Sequence, residues 1–135
     1  MKCTVLVDNR TNNPALETEH GPSVLISHGH KDHAGGLKHF LAINDKAKVI
    51  VSPDAMSGKF YSRRGHLHSI TSDWPIIPEE RLLRVDKSCE IADGITVMAH
   101  IPQVHPKPIG NQNLFIETEE GSFVPDISGL KLGRF

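Results

Sequence analysis

One stretch of this chain leaves few folds open: an apolar run, a histidine-rich loop, an amphipathic segment and a second apolar run, in that order. Ser23-Val24-Leu25-Ile26-Ser27 is apolar throughout its centre, which predicts a β-strand buried on both faces. The loop His28-Gly29-His30-Lys31-Asp32-His33 follows at once. Ala34 to Asn44 predicts a helix, with Ala34, Leu37 and Leu41 on one face and Phe40 beside them. Ala47-Lys48 then leads into Val49-Ile50-Val51, a further strand. Strand, helix and strand in this order predict parallel pairing through a right-handed crossover, and so an α/β fold.

The flanks add mostly β-structure. Cys3-Thr4-Val5-Leu6-Val7 reads as a strand stopped by Asp8-Asn9, and a turn-rich, then acidic, connection runs from Asn9 to His20. Ser52 to Pro78 is broken by Pro53, Gly58, Gly65, Pro75 and Pro78 and predicts irregular chain, apart from a short helix opened by Pro53. Leu82–Val85, Glu90-Ile91 and Ile95–Ala99 predict short strands, the last two joined by an Asp93-Gly94 turn. Ile101 to Gly110, with three prolines, predicts a loop. Leu114–Thr118 and Ser122–Val124 predict a hairpin around Glu120-Gly121, and the tail from Pro125 shows no period.

At 135 residues and 14.9 kDa the chain suits one small domain over 1–135. A net charge of −1 with scattered Lys and Arg argues against nucleic acid or an anionic membrane as partner. Cys3 and Cys89 lack the spacing of a zinc knuckle or redox pair and suit buried apolar positions. There is no apolar leader-like run and no long apolar segment, so the default location is the cytoplasm.

Histidine is the unusual residue: nine in all, three of them between His28 and His33. In extended chain, residues two apart point the same way, so His28 and His30 can converge on one ion. Imidazole nitrogen is a good zinc ligand. Gly29 between them permits a tight approach. Asp32 and His33 follow as the loop turns into the helix and can hold a second ion. Two ions about 3.5–4 Å apart would clamp a shared hydroxide and a substrate oxygen, which suits hydrolysis. Asp32 is equally placed to cap the helix at Ala34, a role that needs no metal. The catalytic role is expected of Asp32.

Ser27-His28-Gly29-His30-Lys31-Asp32-His33-Ala34-Gly35-Gly36-Leu37 resembles the signature loop of the metallo-β-lactamase superfamily. Further segments, Thr4–Asn9, Glu19-His20-Gly21, Pro53-Asp54-Ala55 and Asn113-Leu114-Phe115, are similar to one branch of it. That branch includes 7,8-dihydropterin-6-ylmethyl-4-(β-D-ribofuranosyl)aminobenzene 5′-phosphate synthase. The resemblance implies an αββα sandwich of two mixed sheets with helices outside. It also implies two divalent ions, zinc before manganese or iron, the first on His28 and His30 and the second on Asp32 and His33. The implied activity is that of a metal-dependent hydrolase, or related transferase, acting on a phosphate- or pterin-bearing small molecule through a metal-bound hydroxide.

Two departures qualify this. Only Pro22 to Ile26 separates Gly21 from Ser27, where the family has further strands and a helix. The family's second half-domain, with its additional histidine ligands, has no counterpart after Asp126. The chain is therefore expected to be a shortened or truncated form holding about one half-domain. His100 and His105 are the substitutes offered as extra ligands or substrate contacts, with His66 and His68 behind them, while His20 and His39 rank as surface residues. A catalytically incomplete metal-binding or structural module is the alternative function. A strand deprived of its neighbour, at Val5–Val7 or Val24–Ile26, would recruit another chain, so a homo-oligomer is expected.

Overall fold

Val24, Leu25 and Ile26 are all fully shielded from solvent, and alternation along the strand sends them to two different cores. A computed structural model describes residues 5–7, 23–92, 94–101, 104–106, 109–126 and 131–134. In chain order its elements are β1 (Val5–Val7), β2 (Ser23–Leu25), α1 (Lys31–Ala34), α2 (Leu37–Ile43), β3 (Lys48–Val51), α3 (Pro53–Ser57), β4 (Phe60–Ser62) and β5 (His68–Ser69). There follow β6 (Leu82–Arg84), β7 (Cys89–Ala92), β8 (Ile95–Met98), β9 (Leu114–Glu117), β10 (Phe123–Pro125) and β11 (Lys131–Arg134). Single 3-10 turns lie at Glu79–Arg81 and Ile109–Asn113.

The central sheet has the order β1-β2-β3-β6 and every pairing in it is parallel. On one face Val24, Ile26, Val49 and Val51 meet Ala34, Leu37, Phe40 and Ala55 from the three helices. On the other, Leu25 and Ile50 meet Val85 and Val97. Val97 belongs to β8, the middle strand of an antiparallel sheet ordered β11-β8-β7. Helices thus cover one side of the parallel sheet and a second sheet the other. Each fully buried Val, Leu or Ile side chain stabilises this arrangement by about 1.5–3 kcal/mol. A third sheet, β10-β9-β4-β5, is antiparallel and anchored by the buried Phe60.

Several sequence expectations hold: the two-faced strand β2, its parallel partner β3, the hairpins β7–β8 and β9–β10, and the proline-opened helix α3. Ser52 caps α3, its hydroxyl accepting from the Ala55 N–H at 3.2 Å. Gly121 makes the β9–β10 turn at φ +82°, a conformation most side chains resist. Glu19-His20-Gly21, Cys3, Asp8-Asn9 and Asp93 lie outside the described residues.

Other expectations are corrected. The helix foreseen from Ala34 to Asn44 is two helices, parted at Gly35-Gly36, because consecutive glycines weaken a helix interior. The first helix begins three residues earlier than foreseen, at Lys31, so Asp32 sits inside its first turn and does not cap it. His30 stands at the cap position, its carbonyl accepting from the His33 and Ala34 N–H groups at 3.0 Å. The middle stretch foreseen as irregular contains β4 and β5, strands too short to show a period. The tail without a period contains β11, and the loop foreseen to Gly110 gives way to a 3-10 turn at Ile109. Cys89 is exposed rather than buried, since β7 is an outer strand of its sheet.

Candidate metal centre

The site starts where β2 stops. Ile26 extends the pairing by one bond, its N–H donating to Ile50 O at 2.9 Å, and the chain then leaves the sheet as Ser27-His28-Gly29-His30. Residues 70–72 hold this loop from the side. The Lys31 N–H donates to Ile70 O at 2.8 Å and the Ser72 N–H to Gly29 O at 3.0 Å, about an isolated bridge between His30 and Thr71. Gly29 is buried so closely against Ala55 and Phe60 that a Cβ there would run into the Ala55 carbonyl and the Phe60 ring. A close approach, not a special φ, is what requires glycine between the two histidines.

The imidazoles of His28 and His30 lie edge to face, with centroids 4.4 Å apart, and His33 packs on His28 at 4.2 Å. One donor atom each from His28, His30 and Asp32 falls within 4.8 Å of the others. Asp32 is mostly exposed and lies 3.5 Å from His33 Nε2. All four residues of the signature loop therefore gather at one place, three of them as a common donor set and His33 against two of those three.

Orientation comes from neighbours. His28 Nδ1 is 2.7 Å from the Ser27 hydroxyl. His30, only 6% exposed, packs on Phe60 with centroids 5.1 Å apart and places Nε2 2.6 Å from Asp126 Oδ2. A carboxylate on one ring nitrogen is the usual means of fixing a ligating histidine and leaving the other nitrogen as donor. Asp126 escaped the sequence reasoning, which saw it only as the last residue of a family-like segment. No local spacing links it to His30, 96 positions away.

These residues floor a cleft of about 610 Å³. His68 lines it, its ring centroid 4.9 Å from that of His66, which does not. His100 and His105 are both exposed and neither is among the lining residues; His100 takes a left-handed φ of 52°. His39 is exposed on α2. His20 lies outside the described residues.

Two imidazoles and a carboxylate, with a buried carboxylate behind one imidazole and a cleft in front, suit a divalent transition metal. Three protein ligands and an open position are the pattern of catalytic rather than structural zinc. No helix among the described residues is long and apolar enough to cross a membrane.

The crystal structure of Tm1679, described as a metal-dependent hydrolase of the beta-lactamase superfamily, shares this fold with a TM-score of 0.67 at 24% identity. The match covers 96% of this chain and 49% of that one, so the chain spans about half the length of the structure it resembles. No curated protein matches the chain. The sequence pattern of the metallo-beta-lactamase superfamily matches residues 22–124, from the start of β2 into β10, and takes in the whole donor cluster. The chain belongs to the metallo-beta-lactamase superfamily.

Proposed function

We propose that this chain is a metal-dependent hydrolase, or a related transferase, acting on a phosphate- or pterin-bearing small molecule. The observation that carries the proposal is the convergence of His28, His30 and Asp32 donor atoms within 4.8 Å at the floor of an open cleft. A divalent ion held there would supply Lewis acidity toward a substrate oxygen and toward water. His28 and His30 would hold it in a fixed direction, because Ser27 and Asp126 each engage one of their ring nitrogens. Asp32 adds negative charge to the cleft lining, and Asp126 Oδ2 accepts from His30 Nε2 at 2.6 Å. Zinc suits this mixed nitrogen and oxygen set, with manganese or iron as alternatives. A second ion would draw on Asp32 and His33.

Metal analysis tests this. The purified protein should carry a transition metal, EDTA should lower its melting temperature, and His28→Ala should lose metal. Absence of any transition metal after zinc reconstitution would remove the proposal.

A second function, a metal-binding module without turnover, draws on one observation: the chain spans only about half of the solved structure it resembles. Metal-loaded protein that hydrolyses neither a phosphomonoester nor a phosphodiester would favour it.

We also propose self-association. β1 and β6 are the outer strands of the parallel sheet among the described residues, and an outer strand offers backbone groups to another chain. Light scattering should show a dimer or larger species, and a monomer across a wide concentration range would contradict it.

A further inference from the structure

The cleft has a second chemical character besides its metal donors. Lys31, Arg64 and Asn111 line it too, and all three side chains can donate hydrogen bonds, whereas His68, also in the lining, gives its Nδ1–H to His66 O at 2.8 Å. β4 and β5 pair with Ser62 opposite His68, and Arg64 lies in the turn between them. The fold separates two adjacent arginines at that turn. Arg63 sets its guanidinium 4.5 Å over the Phe115 ring and does not line the cleft, whereas Arg64 does. Arg64 N–H donates to the Ser62 hydroxyl at 3.1 Å, which fixes the turn's backbone next to the cleft wall.

We infer that Arg64, with Lys31, is an oxyanion-recognition wall that selects substrates bearing a phosphate or carboxylate group. Guanidinium presents a planar fork that matches two oxygens of such a group, and ammonium adds donors of less demanding geometry. The carboxylates Asp32 and Asp126 also line the cleft and repel a substrate anion, so cationic side chains on the same cleft direct that anion away from them. Arg64 is thus a specificity-determining residue. As the substrate-class part of the inference, this rests on the hydrolase function proposed above.

The test is calorimetric titration of phenyl phosphate, benzoate and phenol into the whole chain, into Arg64→Gln and into Arg63→Gln. Metal content is measured on each sample. Both arginines are exposed, so neither change should unfold the protein. Phenyl phosphate or benzoate should bind saturably and phenol should not. Arg64→Gln should weaken the anion about tenfold, the low end for a hydrogen bond to a charged group at an open site, while Arg63→Gln leaves it unchanged. Tighter binding of phenyl phosphate assigns the wall to phosphoryl substrates, and tighter binding of benzoate to carboxylates. Equal anion affinity in the two variants, or no saturable binding of either anion, overturns the inference. Arg64-dependent anion binding in protein that holds no metal and turns nothing over would sink the hydrolase function and leave the wall standing. Metal-loaded, active protein indifferent to Arg64 would do the reverse.

Discussion

His30 Nε2 and Asp126 Oδ2 lie 2.6 Å apart, both side chains under a tenth exposed, so the first residue beyond β10 orients a candidate ligand on the loop after β2. Asp126 is itself held in place, its N–H donating to Leu114 O at 3.1 Å at the start of β9. Removing one partner of a buried pair leaves the other without its hydrogen bond. Asp126→Ala should therefore cost about 1–3 kcal/mol in urea unfolding and lower metal affinity by about 10–100-fold in a chelator competition. Asp126→Asn, which keeps an oxygen near His30, should lose less of both. Unchanged affinity in the alanine variant would show that Asp126 does not orient the site.

Gly29 lies where the loop passes nearest to α3 and β4. Its missing side chain is filled by the Ala55 carbonyl and the Phe60 ring. A backbone carbonyl and a fully buried ring have little room to retreat, so Gly29→Ala should force the loop outward. The expected cost is about 1–3 kcal/mol, the range for overpacking in a tight interior. His28 and His30 flank the residue, so metal retention should fall with stability. A variant as stable as the parent and equally loaded would mean that the loop relaxes without moving its histidines.

What could be read from the sequence was whatever is written locally. Val24-Leu25-Ile26 declared a two-faced strand, because burial on both sides demands an unbroken apolar run. His28, His30, Asp32 and His33 were legible because their spacing alone brings them together at a strand's end. Asp126 was not, since only the pairing of β9 with β10 and of β4 with β9 carries it to His30. The start of α1 was misplaced for a related reason. Its first residue, Lys31, is held by Ile70, a partner 39 positions away that no local signal names. Arg63 and Arg64 look alike in sequence, and the turn at Gly65 gives them opposite uses.

Glu79 and Arg84 form a two-bonded pair at 2.9 Å that ties the 3-10 turn at Glu79–Arg81 to β6. The guanidinium holds the Glu79 carboxyl below its ordinary range, first through the hydrogen bonds and then through its charge. A carboxylate depressed in the folded state stabilises above its unfolded pKa, and that contribution is lost as pH falls through the folded value. Both groups are exposed, so the effect is small. The melting temperature of Glu79→Gln should lie slightly below the parent's at neutral pH and converge with it in acid. A gap that widens in acid would contradict the sign.

Asp32 decides how many protein ligands the centre has. It lies at the second residue of α1 with its side chain 62% exposed, 3.5 Å from His33. Since it neither caps the helix nor packs in a core, its structural contribution is slight. Asp32→Asn should change the stability of metal-free protein by no more than about 0.5 kcal/mol, as for most exposed substitutions. A neutral amide is a weaker ligand than a carboxylate, so the same change should cut metal content and any hydrolysis of model phosphoesters. His28→Ala makes the comparison sharper, because it removes an imidazole that belongs to the cluster in every version of the site. If both variants lose metal, the donor set is His28, His30 and Asp32. If His28→Ala alone loses it, the ion rests on imidazoles, and Asp32 serves the cleft only through its charge.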